Sequence, residues 1–527
     1  MQETSDGLED WELSQKRDYR DLARGGLITF VGKIGRASRG AFLWIITFFM
    51  GLDVQGYYSL SWGIVSTLNK IAQFGMERSI VRFSVRAREQ ALYPVERVVV
   101  TGLGIVFISA TLVMGGVFAF SNLIADFYNK PIAEALRILS FSAPFLAMCW
   151  VFMGAIRSLR IVIYDVYVLS IAGPLLLLIG GLCIGIGGGE LRAVAYVQVS
   201  MAVGIFALSV FFFSRLFSFR ECWQQLGQYR PWKDIAYFSL PVTAGNLLYG
   251  VLTQLDVLML GFFVSAEMVG IYALARRIAS LMLKASQAFD PIFSSIVSEL
   301  AVKKQYSELN VRFQVLFRWI LTINLPIFFA LLMIGDVILA LIGGGAMNAL
   351  PIQQIERGIN VLLILCICMM IQGLFALTDP LLTMVGKPSL NFFNNLVWLI
   401  SNFIINVALI EYFNLGIVGA ALGALFSTIL VNGLRTFQIY SEFSVSPFGV
   451  EQLKPICAAI LAGLTSWLIR QLVMGDILGA VVTLFVFFLT YIMLLRVLGL
   501  EIEDKQLLTK FFRWVQRNGD AVDSRKE

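Results

Sequence analysis

The chain has 527 residues, 58% of them hydrophobic and only 14% charged, with a formal net charge of +6 and a mean hydropathy of +0.78. A soluble domain of this size cannot cover its surface with so few charges, which excludes an ordinary water-soluble protein. The absence of histidine removes the usual zinc ligand, the commonest general base and the usual proton relay.

The first 26 residues are acidic and mixed (Glu3, Asp6, Glu9, Asp10, Glu12). They lack the short basic segment and brief apolar core of a cleavable signal, so the first span is expected to remain in the mature protein. Apolar runs then follow almost end to end. They predict spans at 27–50, 56–74, 95–120, 136–156, 166–187, 193–214, 235–262, 266–288, 318–342, 357–380, 389–411, 416–436, 454–472 and 477–498. A bilayer core takes about 20 apolar residues per helix. These runs are continuous rather than alternating, so the expected fold is an all-α polytopic membrane protein of about 14 transmembrane helices and not a barrel.

An even number of spans places both termini on one side, and Lys and Arg identify that side as cytoplasmic. Segments assigned to the inside carry Lys16, Arg17, Arg20 and Arg24, then Arg78, Arg82, Arg86 and Arg88, and so on to Lys454 and a basic tail. Outside loops carry only Lys130, Arg192 and Arg357, with Arg137 and Arg470 near outer helix ends. The longest inside segment, from Phe289 to Phe317, has room for a short helix after Asp290-Pro291. In the tail, Leu507, Leu508, Phe511, Phe512, Trp514 and Val515 interleave with Lys505, Lys510, Arg513 and Arg517. That pattern predicts a helix lying on an anionic leaflet.

Two junctions read nearly alike. Gly51 to Leu60 and Val264 to Leu274 each present an acidic residue, then Gly-x-Tyr, then a new apolar helix. A repeat at this distance points to a transporter made of two similar helical bundles.

Charges inside spans carry the functional signal, because each costs roughly 2.5–3.5 kcal/mol on insertion scales and normally faces a cavity or a partner. The first span holds Lys33, Arg36 and Arg39 on one face, interleaved with Gly32, Gly35 and Gly40. Starting that span at Ala41 would leave a helix of roughly 18 Å, short of the ~30 Å core. The second span carries Lys70 and the eighth carries Arg276, Arg277 and Lys284. The bland reading of these cations is snorkelling to the inner surface; the sharper one is an inward-facing cationic cavity holding an anionic headgroup such as a diphosphate. Asp256 in the seventh span could coordinate a coupling cation, pair with a neighbouring cation, or serve as a structural hydrogen-bonding group. Asp336, Asp379 and Glu411 are further isolated carboxylates, Asp336 and Glu411 at outer ends where water reaches them.

Other motifs carry less. Cys366-x-Cys368 has no second ligand pair and reads as core packing, so no metal and no cofactor is expected. The six cysteines lie in spans or inside loops, where disulfides are not expected. Gly187–Gly189 and Gly343–Gly345 read as external turns; neither precedes Lys-Ser/Thr. Pro144, Pro174, Pro241, Pro326 and Pro380 mark kinks or hinges.

Four segments then carry a resemblance: Gly51 to Leu60 followed by Gly75 to Phe83; Phe238-Ser239-Leu240-Pro241 followed by Asp256 to Gly261; Val269 to Ala275; and Gly416 to Gly423. In order and spacing, over nearly the whole chain, these resemble the polysaccharide transporter branch of the multidrug/oligosaccharidyl-lipid/polysaccharide exporter superfamily. The resemblance implies two six-helix lobes in a V around a central cavity, plus two C-terminal helices. It implies rocker-switch movement of a polyprenyl-diphosphate-linked oligosaccharide from the inner to the outer leaflet of the cytoplasmic membrane. In the lipid II flippase, a more distant member, cations on the first, second and eighth helices contact substrate; the matching positions here are Lys33, Arg39, Lys70 and Arg276 or Arg277. The chain departs from the pattern in having Lys at 33 and 70 where Arg is expected, which weakens bidentate phosphate contact there.

The domains expected on this basis are 1–26 cytoplasmic segment, 27–214 first lobe, 215–234 linker, 235–436 second lobe, 437–498 extra helices and 499–527 cytoplasmic tail. A drug/cation antiporter of the same superfamily is the nearest alternative, but a cationic first helix repels a cationic drug. A membrane enzyme of lipid-linked glycan polymerisation is the alternative from another class; it normally needs a large external loop or clustered carboxylates or His. The implied partners are the lipid-linked glycan, membrane lipids, a glycan polymerase and glycosyltransferases, with no nucleic acid and a monomer as the working unit.

Overall fold

The computed structural model describes residues 39–90, 94–159, 161, 163–225, 232–348, 351–472 and 476–498. Among these residues the chain is helical, without a strand. Lys33, Arg36 and the tail helix expected at 501–517 lie outside the described residues, and of Arg39 only the backbone is described.

The helices are α1 (Arg39–Met50), α2 (Leu52–Ala72), α3 (Met76–Glu89), α4 (Val95–Tyr128), α5 (Ala133–Ser158), α6 (Ile163–Ile186) and α7 (Leu191–Ser214). The second half holds α8 (Trp232–Phe263), α9 (Ala266–Ala279), α10 (Leu283–Val302), α11 (Tyr306–Asn348), α12 (Gln353–Met384), α13 (Pro388–Tyr412) and α14 (Gly416–Phe443). The last two are α15 (Leu453–Leu472) and α16 (Asp476–Val497). Their ends follow local chemistry. Pro94 and Pro351 precede α4 and the start of α12, and Pro388 opens α13, where a missing N–H costs nothing. Asn129 and Ser444 stop α4 and α14 in the left-handed conformation, with φ of 49° and 54°.

Eleven helices among the described residues are long and apolar enough to cross a membrane: α4 to α8 and α11 to α16. Large apolar side chains such as Phe107, Leu112, Leu123, Ile404 and Phe485 point outward and exposed, an arrangement suited to lipid. Helix α2 is 21 residues long but carries too many polar groups to qualify on apolarity. The eighth expected span is broken: α9 ends at Ala279, a 3₁₀ turn covers Ser280–Met282, and α10 runs on through Pro291 to Val302.

One turn expectation is corrected, at Gly343–Gly345, while the repeated Gly-x-Tyr motifs lie in helix as their spans implied. Gly51, at φ 96°, is the single residue between α1 and α2, and only Val264 and Ser265 separate α8 from α9. Gly343–Gly345 lies inside α11 and not in a turn. Glycine costs roughly 0.5–1 kcal/mol in a helix relative to Ala, too little to stop one already propagating.

Buried apolar residues form separate cores. One joins α1 to α7 and the start of α8, from Phe42 to Ile235. A second gathers α8, α9, α11, α12, α13 and α14, and a third packs α15 and α16 against α10, α11 and α12. The two halves meet where α2 lies along α8 and α9. There the helices touch backbone to backbone: a Cβ at Gly56 would fall on the Ala266 carbonyl, and one at Gly270 would fall on the Leu52 carbonyl. The repeated glycines therefore serve close helix approach.

Candidate functional site

Below that glycine contact α2 turns a polar stripe inward. Ser59, Trp62, Ser66, Asn69, Lys70 and Gln73 recur at helical spacing and line one cavity of about 550 Å³. Across from them stand Tyr249, Gly250, Thr253 and Gln254 of α8 and Ala273, Arg276, Arg277 and Ser280 of α9. The remaining wall comes from Phe42 and Leu43 of α1, Leu146, Cys149 and Trp150 of α5, α6 and Gln198, Met201 and Ile205 of α7.

Three of the cations singled out in the sequence, Lys70, Arg276 and Arg277, line this cavity. Gly250 faces Lys70, with room for a Cβ only 3.1 Å from the lysine Cγ. Gly40, at the start of α1, packs 3.5 Å from the Arg277 Nε by the same measure, so the first helix enters beside that guanidinium. Lys284 lies on α10, beyond the 3₁₀ turn, where its Nζ approaches Gln287.

Asp256 both pairs with a neighbouring cation and accepts a structural hydrogen bond, two of the three roles open for it. It is 5% exposed, and its Oδ2 lies 3.5 Å from Arg276 Nη1. Asn406 Nδ2 donates to Asp256 Oδ1 at 3.1 Å and to Asn402 Oδ1 at 2.9 Å, and Asn402 donates on to Ser427 at 3.0 Å. A buried ion pair of this kind is held by the hydrogen bonds around it. Three cations, Lys70, Arg276 and Arg277, line the cavity, Arg276 being paired with Asp256, and no carboxylate is among its described lining residues. Such a field attracts an anion and repels a cation.

At the glycine end the halves are further tied by the Lys130 ammonium donating to the Val264 carbonyl at 2.7 Å and by Phe127 against Phe262, 4.4 Å between centroids. At the arginine-rich end the halves meet again, where a Cβ at Gly75 would lie 2.8 Å from the Ser239 carbonyl. Ser79 and Ser239 hydroxyls meet at 2.7 Å, and the Arg82 guanidinium lies 4.3 Å from the centroid of Phe238.

A second polar centre escaped the sequence reading. Arg435 on α14 is 6% exposed and donates to Asn395 at 2.7 Å, Asn391 at 3.3 Å and Asp379 at 3.4 Å. Asn391 Nδ2 donates to Asp379 at 2.6 Å, and Asn394 and Gln438 exchange two amide hydrogen bonds. The available signal was the spacing of Asn391, Asn394, Asn395, Asn402 and Asn406, which share one side of α13. Glu411 is exposed at the end of α13, as expected; the Asp336 side chain is outside the described set. No group of metal-ligating side chains occurs among the described residues.

With this geometry in place, the comparisons with known proteins follow. The polysaccharide biosynthesis protein family matches residues 22–297, more than half of the chain. The probable flippase AglR of Haloferax volcanii is 28% identical over 206 residues, 39% of this chain and 40% of that protein. The multidrug export protein MepA of Staphylococcus aureus is 23% identical over 197 residues, 37% of this chain and 42% of that protein. The chain thus spans about two-fifths of the length of these curated relatives. Among solved structures, the lipid II flippase MurJ in an inward closed conformation superposes with a TM-score of 0.70 at 12% identity, covering 89% of this chain and 97% of that one. An inward-facing multidrug resistance MATE transporter of the MOP superfamily gives 0.63 at 13% identity, covering 78% and 94%. At such identities these likenesses speak to the fold.

Proposed function

Because the chain belongs to the polysaccharide biosynthesis protein family, we propose that it is a flippase moving a polyprenyl-diphosphate-linked oligosaccharide across the cytoplasmic membrane by alternating access. The observation that carries this reading is the cavity between the two halves, lined by Lys70, Arg276 and Arg277 and by no carboxylate among the described residues. A diphosphate brings the complementary charge and several acceptor oxygens for lysine and arginine donors. Lys33, Arg36 and Arg39, whose side chains lie outside the described residues, are assigned to the same anionic substrate on the sequence reading alone. The AglR likeness supports the flippase reading, since that relative is described as a probable flippase.

The arrangement proposed is fourteen helices in two six-helix lobes, 27–214 and 235–436, with two further helices behind the second. Both termini lie in the cytoplasm, by the Lys and Arg bias. The cavity then opens toward the inner leaflet at the arginine-rich end, where Gly75 and Ser239 hold the seam, and toward the outer side where Gly56 and Gly270 hold it. Asp256 acts on Arg276, releasing or holding it, in preference to binding a coupling ion. A glycan polymerase and glycosyltransferases are the expected working partners of a monomer.

The test is complementation of cells lacking a glycan repeat-unit flippase, comparing wild type, Lys70→Gln and Arg277→Gln at equal membrane abundance. Surface glycan restored by wild type and lost in both variants is expected. Full restoration by both variants would remove the cavity from the mechanism. Drug efflux is the second reading, favoured by the MepA likeness; its mark is resistance to cationic dyes conferred by wild type, which the cavity charge opposes.

A further inference from the structure

The two repeated helices differ at one depth in the cavity. Gly56 of α2 and Gly270 of α9 pack against each other. Six residues farther along, α2 presents Trp62 and α9 presents Arg276, so the pair lies at one level, about 9 Å below the glycine contact by helical rise. Equivalent positions of the repeat therefore carry an aromatic ring on one wall and a guanidinium on the other. The aromatic character continues around the first half. Trp150 of α5 lines the same cavity, with Arg157 5.3 Å from its ring centroid, and the Tyr58 hydroxyl donates to Gln198 Oε1 at 2.9 Å. Asn69, one residue before Lys70, is 3% exposed, and neither of its amide atoms has a hydrogen-bonding partner.

We infer that the wall built by α2, α5 and α7 is a sugar-binding face, on which Trp62 and Trp150 take the C–H face of a pyranose ring while Asn69 and Gln198 serve its hydroxyl rim. This inference rests on the flippase reading and divides its site: the cations of α9 and Lys70 hold phosphate, and the first-half wall reads the glycan. The chemistry argues for it. A sugar ring has an apolar face and a polar edge, the combination that a half-buried indole beside amides complements. A partnerless buried amide is an anomaly that a ligand hydroxyl resolves. A cavity of about 550 Å³ lies inside the ~300–1,000 Å³ range of small-ligand sites. That volume admits a charged headgroup with the first sugars attached and leaves the polyprenyl chain in the lipid.

The test uses the full-length protein in lipid nanodiscs and two probes: undecaprenyl diphosphate, and the same lipid bearing one N-acetylglucosamine. Wild type is expected to bind the sugar-bearing probe about tenfold more tightly than the bare diphosphate. In Trp62→Ala and Asn69→Ala that preference is expected to vanish, with bare-diphosphate affinity held within about twofold. Trp62→Phe keeps part of the preference, and Arg277→Gln weakens both probes alike. Retained bare-diphosphate binding also shows that each variant is folded. Equal wild-type affinity for both probes, or equal loss of both in Trp62→Ala, overturns the sugar face and leaves the flippase reading standing. Wild-type binding of neither probe overturns the flippase reading, and the sugar face with it.

Discussion

Adding a methyl group at the glycine contact between α2 and α9 is expected to open the cavity on that side. In Gly270→Ala the new Cβ would overlap the Leu52 carbonyl and lie 2.6 Å from Gln55 Oε1; in Gly56→Ala it would overlap the Ala266 carbonyl. The obstacles are main-chain atoms of the facing helix, which cannot swing aside as a side-chain tip can. Overpacking of this kind costs about 1–3 kcal/mol. Here the cost falls on the conformation in which the helices touch, so the equilibrium moves toward the separated one. A shift of about 1.4 kcal/mol is tenfold in population. The assay is modification of a cysteine placed at Ser59, one turn inside the contact, by a membrane-impermeant maleimide in a background without the native cysteines. Labelling from the glycine end is expected to rise about tenfold in both variants. Unchanged labelling alongside lowered thermal stability would refute the reasoning and reduce the contact to ordinary packing.

The ion pair between Asp256 and Arg276 predicts asymmetric losses: Asp256 is the more deeply buried partner, so Arg276→Ala should destabilise more than Asp256→Ala. The double variant should recover about 0.5–3 kcal/mol of the summed loss, read from denaturant unfolding in detergent. At the second polar centre the order reverses. Arg435 is buried and Asp379 half-exposed, so Asp379→Ala should cost more than Arg435→Ala, about 3 kcal/mol by the same unfolding measurement. Tyr58→Phe removes the hydrogen bond to Gln198, which should cost about 0.5–1.5 kcal/mol, read by the same unfolding measurement.

What could be read from the residues alone divides along physical lines. Lys70, Arg276 and Arg277 stood out because a charge in an apolar run is expensive whatever its neighbours, and the structure gathers them around one cavity. Pairings between distant helices were beyond reach: Asp256 and Arg276 are 20 residues apart on different helices, and Asp379 and Arg435 are farther still. Nothing local marks Arg435, at the end of the 416–436 run, as a buried group, although two asparagines and a carboxylate receive it. The Gly-x-Tyr repeat was singled out and placed at the starts of two spans, but its role in close approach was not legible, because only the facing backbone shows it. The break at 280–282 inside the eighth expected span depended on packing that no local pattern encodes.

The Arg435 cluster also bears on how the protein is made. Arg435 follows the uncharged run Gly416–Leu434 of α14, and without partners its guanidinium would have to reach water in place of packing inside the protein. Every side chain that receives it comes from α12 or α13, which leave the ribosome first: Asp379, Asn391 and Asn395 are already synthesised when Arg435 emerges. The acceptors are thus waiting in the bilayer before the donor arrives. Order of synthesis becomes part of the assembly code: the acceptors for Arg435 are complete before it emerges, and deleting α13 would leave it without Asn391 and Asn395.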